Sequence, residues 1–445
     1  MIYIPEGDLH ESAKINAIYS KIHLLESYQK VWVALASAQA ELGIIPKEAA
    51  DEISALADIK NVDIPYYDEQ VTITGGQQIV SLIRAWKPSF KGSKSAEFIH
   101  YGATTQDIMD TAEILKFREV YNIIYKELRE LENVLKNMAE EHINTPIAGR
   151  THGQHAVPIT FGLKVAIWLM EIKRHIERME ECSKRLFVGS FYGAAGNLAS
   201  LSGGGLKITE LMSKKLGLGF VAVPWHTTHD NIVEFMTLLC NIVTSAGRVA
   251  SEIFELNRTE IGEVEEPWTY GNVSSSTMPQ KRNPEGCEAV VSLARLVQFE
   301  VGAVYQSNMH ENERDSRSWN IDQFVFPITC GMVEKSLRYM ILILKGLVVL
   351  PDKMRTNLEM TNGLIMSESI MMTLGKKIGR LNAHEKIYHM AIEAHENNIH
   401  LKELVLADKE IMNKCNKEEI ETAFEPLSYV GDSYKMTRAA IDAVK

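Results

Sequence analysis

Apolar residues recur at three- and four-residue steps through Ile108, Ala112, Leu115, Val120, Ile124, Leu128, Leu131, Leu135 and Met138, and no proline interrupts them before Pro146. That spacing puts every member on one face of a 3.6-residue helix, and the run is far longer than the globular average of ~11–12 residues. Similar runs occupy Val165 to Met179, Ile232 to Leu256, Glu285 to Gln306 and Phe324 to Leu350. Five such stripes need one another's apolar faces, so the pattern predicts an all-α fold built on a long five-helix bundle. Stripes of this length bury against something on more than one side, which predicts a homo-oligomer of packed bundles.

Shorter helices flank these runs. Val31 to Leu42 ends at Gly43 and Pro46, an ordinary helix stop, and Lys47 to Leu56 and Ile79 to Trp86 follow. Between Asn61 and Gln78 the periodicity fails, with Gly75-Gly76 marking a turn. After Pro351 the helices shorten again, at Met366 to Arg380, Ala383 to Asn397 and Lys417 to Phe424. Three segments result: an N-terminal helical domain (residues 1–107), a central bundle carrying an irregular loop (108–351) and a small C-terminal helical domain (352–445). Strand character is confined to Phe187–Tyr192 at most.

A formal net charge of -11 argues against a nucleic-acid partner or a basic membrane-surface role. Any anionic ligand must then be held by a local basic site. The five cysteines are odd in number, scattered and without CxxC pairing, which fits reduced thiols in a cytoplasmic protein and offers no metal site. Met1 to His10 shows no basic stretch followed by an apolar one, so no secretory leader is expected. The longest apolar run, Met340 to Pro351, is broken by Lys345 and is too short to span a bilayer.

Three polar patches interrupt the helical pattern, each at the end of a long helix: Thr104–Asp107, Thr151–Pro158 and Ser274–Pro284. In a bundle such ends can converge. Asp107 or Thr105 is suited to cap the helix that follows. His152 sits among Arg150, Thr151 and Gln154, a set suited to a carboxylate ligand, although a lone loop histidine is commonly a solvated or structural residue. The third patch cannot be regular structure. Pro279 and Pro284 each lack an N–H, and Ser274, Ser275 and Ser276 compete for backbone bonds. It brings hydroxyls, Lys281, Arg282 and Asn283 to the start of the helix at Glu285. A serine beside such cations can have its alkoxide stabilised and act as a base. The chain has no G-x-S-x-G elbow, P-loop or dinucleotide fingerprint, which disfavours a hydrolase nucleophile or a nucleotide cofactor.

The stretch Ser274-Ser275-Ser276-Thr277-Met278-Pro279-Gln280-Lys281-Arg282-Asn283-Pro284 resembles the signature G-S-S-x-M-P-x-K-x-N-P of the aspartase/fumarase superfamily, departing only at Ser274. Arg150-Thr151-His152-Gly153-Gln154 and Gly102-Ala103-Thr104-Thr105-Gln106-Asp107 resemble its other two blocks, so the resemblance covers nearly the whole chain. It implies a three-domain helical subunit and a homotetramer around a twenty-helix core, each active site drawing its three blocks from three subunits. It also implies reversible β-elimination that releases fumarate from a small succinyl compound through an aci-carboxylate, with no metal or organic cofactor. On that resemblance Ser275 is the base, His152 the acid and Glu288 the carboxylate that orients it. Lys281 and Asn283 stabilise the aci-carboxylate, and Thr104, Thr105 and Gln154 bind substrate. His100, Gln106, Arg150, Thr151, Ser276 and Met278 are expected around the same ligand. Arg314 and Arg317 either bind a substrate carboxylate or are surface charges.

Within the superfamily the chain is similar to the branch of adenylosuccinate lyase and 3-carboxy-cis,cis-muconate cycloisomerase, through His100-Tyr101-Gly102 and Thr160-Phe161-Gly162-Leu163-Lys164. Adenylosuccinate lyases carry an Arg-Tyr pair near the N-terminus, absent before Gln29, and a second histidine that would fall near Gly75-Gly76-Gln77. Ser316-Arg317-Ser318-Trp319-Asn320 looks instead like the cycloisomerase group, whose bacterial members carry tryptophan where this chain has His152. A retained histidine favours elimination from an amine or a thiol, with succinylated cysteine one candidate substrate. Adenylosuccinate cleavage is the main alternative and cycloisomerisation the third. A crystallin-like structural protein would be expected to have lost the base or the acid, and this chain keeps both.

Overall fold

The computed structural model of the protein describes residues 11–444 apart from Ser202 and Asn272. Met1–His10, read above as lacking a leader, lies outside the described residues.

The chain opens with helices α1 (Ala13–Ile18), α2 (Lys21–Glu41), α3 (Lys47–Leu56), α4 (Ile64–Ile73) and α5 (Gln78–Trp86). Ser12 and Ser20 cap the first two, their hydroxyls accepting the N–H groups of Ile15 and His23. Helix α4 fills the stretch where periodicity predicted none. Asp63 accepts the Tyr66 N–H and Pro65 occupies the first turn, so start signals place this helix where the apolar spacing is silent.

The long helices form as expected, making the fold all-α: α6 (Thr105–Glu141), α7 (Phe161–Leu186), α9 (Asp230–Leu256), α10 (Glu285–Ser307) and α11 (Ser316–Gly346), with the short α8 (Gly205–Lys215) before α9. The α6 stripe Ile108, Ala112, Leu115, Val120, Ile124, Leu128, Leu131 and Leu135 is buried throughout. Helix α9 is the one helix among the described residues long and apolar enough to cross a membrane, yet 67% of that stretch is buried inside the protein.

The strand expectation needs correction. Phe187–Tyr192 forms no ladder, only one isolated bridge from Val188 to Gly219. Side chains take the place of a partner strand: Thr111 Oγ1 accepts the Ser190 N–H, and the Asp107 carboxylate accepts those of Tyr192 and Gly193. The real hairpin is β1 (Pro146–Thr151) and β2 (Gln154–Thr160), antiparallel, with Pro146 opposite Thr160 and Thr151 opposite Gln154. Its two-residue turn requires left-handed backbone, supplied by His152 (φ 53) and Gly153 (φ 76).

The chain divides into two compact units: Met1–Glu127, His175–Thr244 and Ser292–Leu337 in the first, and Leu128–Arg174, Ser245–Val291 and Arg338–Lys445 in the second. In the first, Trp32 stacks on Trp86, and Phe117 packs against Phe235 and Phe326. The second holds the hairpin, the serine loop and the helices after Pro351, whose own core includes Ile370, Leu374, Ile387, Leu401, Val405 and Ile420.

Gly162 lets the start of α7 meet the end of α6. A Cβ there would stand 2.7 Å from Ile143 Cα and 2.8 Å from the carbonyl oxygens of Ala139 and His142. Backbone cannot swing aside as a side chain can, so Gly162→Ala is expected to destabilise by about 1–3 kcal/mol in denaturant unfolding. A variant as stable as the parent would contradict this packing.

Candidate active site

The serine loop lies in the second unit, and its own hydrogen bonds shape it. Ser274 Oγ donates to the Lys281 carbonyl at 2.6 Å and accepts the Asn283 N–H at 3.2 Å. The Asn283 amide donates to the Ser274 carbonyl at 2.6 Å. These three bonds close the loop at its base. In this conformation Asn283 holds the loop rather than offering its amide to a ligand.

Inside the closed loop, Ser275 Oγ receives the N–H of Met278 at 3.0 Å and, more weakly, that of Thr277 at 3.4 Å. Both donors point at the oxygen that carries charge once its proton leaves, the arrangement that stabilises an alkoxide. Ser276, Met278 and Lys281 are exposed, and Lys281 makes no ion pair among the described residues. Arg282 is occupied, pairing with Glu265 at 3.3 Å and lying over the Trp268 ring.

The start of α10 is already satisfied. Glu266 accepts the N–H groups of Gly286 and Cys287 at 3.1 and 2.7 Å, so this helix end is neutralised by a carboxylate from the chain itself. Glu288 stands exposed one turn further on.

His152 is at the hairpin tip, exposed together with Thr151 and Gln154. Arg150, one register position below, is committed. Its guanidinium makes a two-bonded pair with Glu263 at 2.8 and 2.7 Å, and Asn357 donates to the same carboxylate at 2.8 Å. Glu263 is fully buried. Arg150 therefore anchors the hairpin, and its charge is spent within the fold. No hydrogen bond or ion pair joins His152 to Ser275, Lys281 or Glu288 among the described residues.

The first block belongs to the first unit. Asp107, fully buried, reaches back to accept the Thr104 N–H at 2.8 Å and also accepts from His226 Nε2 at 2.8 Å. The Gln106 amide donates to the His226 carbonyl, while its oxygen accepts Arg314 Nε at 3.1 Å. Arg314 also donates to the Ala194 carbonyl, whereas Arg317 pairs with Asp315 and Glu311. Thr104 and Thr105, half-buried, complete a polar surface at the N-terminus of α6.

His100, at φ 67, accepts the Trp32 indole N–H through Nδ1 at 3.1 Å. Burial holds its pKa down to about 4, against a smaller upward pull from Asp107. A second ring proton would also destroy the acceptor that Trp32 uses. The folded state thus resists protonation: this stability is complete above pH 6.5 and is lost as pH falls towards 4. His100→Asn, which keeps an acceptor and tolerates positive φ, is expected to recover about 2–3 kcal/mol at pH 4.5 relative to its effect at pH 7.5. Equal effects at both pH values would refute this.

Sequence reading passed over Asp107 as a hub, together with His226, Glu263 and Glu266, and over the buried Asp110, His229 and Asp322, with the half-buried His310 beside His229, in the first unit. The available signal was His226-Thr227-Thr228-His229, two histidines a helical turn apart at the entry to an apolar helix.

A family model described as "Lyase" matches residues 12–298, and one described as "Adenylosuccinate lyase C-terminus" matches residues 363–440. The chain is 35% identical to N-acetyl-S-(2-succino)cysteine lyase of Enterococcus italicus, over 94% of this chain and 92% of that protein. It is 37% identical to adenylosuccinate lyase of Methanocaldococcus jannaschii, over 97% and 94% of the two chains. A solved fumarate lyase from Mesorhizobium sp. BNC1 superposes with a TM-score of 0.92 at 32% identity, covering 99% of this chain and 100% of that one.

Proposed function

Starting from a chain that belongs to the lyase family of the aspartase/fumarase superfamily, we propose that it releases fumarate from a succinylated amine or thiol by β-elimination. One observation carries the reading: Ser275 Oγ sits under two backbone N–H donors in an otherwise matching signature loop. Ser275 takes the proton from the carbon next to the substrate carboxylate, and the electron pair moves into that carboxylate. Lys281, free and exposed, offsets the resulting charge. The carbon–nitrogen or carbon–sulfur bond then breaks, His152 gives its proton to the departing atom, and fumarate remains. Glu288 orients His152. Asn283 can join Lys281 only if it lets go of Ser274.

The exposed His152 tip and serine loop suit a homotetramer in which each site is shared between subunits, acting in the cytoplasm without metal or cofactor. Light scattering is expected to give about four times the 50.1 kDa chain mass. The thiol arm is favoured by likeness to enzymes named N-acetyl-S-(2-succino)cysteine lyase. Adenylosuccinate is the second reading, favoured by the C-terminal family match and by identities of 34–37% with archaeal adenylosuccinate lyases. The deciding experiment follows fumarate release from S-(2-succino)cysteine, its N-acetyl form, adenylosuccinate and argininosuccinate. No fumarate from any of them would end the proposal.

A further inference from the structure

A cavity of about 160 Å3 lies inside the first unit. Asp110, Glu113 and Lys116 line it from α6, His229 from the residue before α9, and Trp319 and Asp322 from α11. Met109, also in its wall, is four residues along α6 from Thr105, roughly 6 Å at ~1.5 Å per residue. The cavity wall at Met109 thus stands about one helical turn from the candidate substrate surface.

The charges around it do not cancel. Lys116 and Glu113 neutralise each other at 2.6 Å. His229 faces two carboxylates, Asp110 and Asp322, and a single imidazolium offsets only one. Its Nδ1 stands 3.6 Å from Asp322, an ion-pair distance too long for a hydrogen bond. Among the described residues, Asp110 Oδ2, Asp322 Oδ1 and both ring nitrogens of His229 have no hydrogen-bond partner, although the three residues are only 4–5% exposed. His310, its ring 4.7 Å from that of His229, is pushed towards its neutral form by burial and then by His229, so it adds no compensating charge.

Buried carboxylate oxygens without a donor are costly, and native structures satisfy nearly all such atoms. Burial raises the Asp110 pKa to about 7, against a smaller downward pull from His229 and His226. A compact cation bearing several N–H donors would match these acceptors. A primary ammonium has three, and a short stem fits the volume against the Trp319 ring.

We propose that this cavity receives a primary ammonium group carried by the leaving portion of the substrate, hydrogen-bonded by Asp110 and Asp322. The assignment to a leaving portion rests on the fumarate-releasing reading; the ammonium site itself does not. With the succinyl carboxylate near Thr104 and Thr105, a substrate whose ammonium lies a few bonds beyond the cleaved atom reaches the cavity. This selects a succinylated thiol or amine that keeps a free α-ammonium, such as an unblocked amino acid. An N-acyl form would offer a neutral amide and leave both carboxylates unmatched.

Two measurements on the full-length protein test this. Fumarate release is compared for S-(2-succino)cysteine and its N-acetyl form, with at least a tenfold higher kcat/KM expected for the free amine and the preference abolished in Asp322→Asn. Thermal unfolding is followed with ethylammonium chloride, with ethanol and sodium chloride as controls. A saturable rise in Tm is expected for ethylammonium alone, lost in Asp322→Asn. Should that variant not fold, Asp110→Asn and the wild-type comparisons carry the test. Equal rates, or faster turnover of the N-acetyl form, with no ethylammonium effect would overturn the site and leave the lyase reading standing. A lost lyase activity on every succinyl compound, with the ethylammonium response intact, would overturn the lyase reading and leave the site.

Discussion

Ser275→Ala is expected to lower fumarate release by roughly 10²- to 10⁴-fold, the range that a positioned acid–base group contributes, or about 3–5 kcal/mol of barrier. The fold should hardly register the change. Ser275 lies in an exposed loop closed by Ser274, Lys281 and Asn283, and the two N–H groups it leaves behind can turn to water. The informative comparison is therefore rate against Tm on the same preparation. Near-parental turnover would remove Ser275 from the role of base, and a large fall in Tm would assign it a structural one. Ser274→Gly separates the two further. It removes the clamp at the base of the loop while leaving the Ser275 hydroxyl, so a smaller loss of rate is expected, arising from a loop that closes less often.

The second large effect falls on stability. Glu263→Gln is expected to cost about 3–5 kcal/mol, because it leaves the Arg150 guanidinium facing a neutral amide inside the protein. Glu263 is fully buried and holds both terminal nitrogens of Arg150 as well as the Asn357 amide. The loss should reach activity too, since Arg150 fixes the hairpin whose tip carries His152. Replacing both partners, as Arg150→Met with Glu263→Leu, is expected to be milder than the single change, since no charge is then stranded. Denaturant unfolding of the single and double variants decides it; a double variant worse than Glu263→Gln would mean the pair contributes beyond mutual neutralisation.

The five long helices were legible because burial on one face writes itself into spacing, whatever the partner helix is. Short elements obey other rules. Helix α4 was visible only in Asp63 and Pro65, and the hairpin hid behind Gly153, Pro158 and a histidine in left-handed backbone. Phe187–Tyr192 had strand-like composition yet found its partners in the side chains of Asp107 and Thr111. At the candidate site, residue types and the signature propose Ser275, His152 and Lys281, roles that the activity of their variants tests. The same reading credited Arg150 with ligand binding and Asn283 with charge stabilisation, although Glu263 and Ser274 already hold them in this conformation.

The sequence by itself determined the helical architecture, the three polar blocks and the superfamily, because periodicity and short signatures are local properties of the chain. Only the tertiary structure decided which charges are spent and which are free. Arg150 meets Glu263 across 113 positions, His226 meets Asp107 across 119, and Asp110, His229 and Asp322 share one cavity wall. A side chain's charge is read from its own identity. Whether that charge is available to a ligand depends on a partner brought near by folding, and no local pattern records that distance.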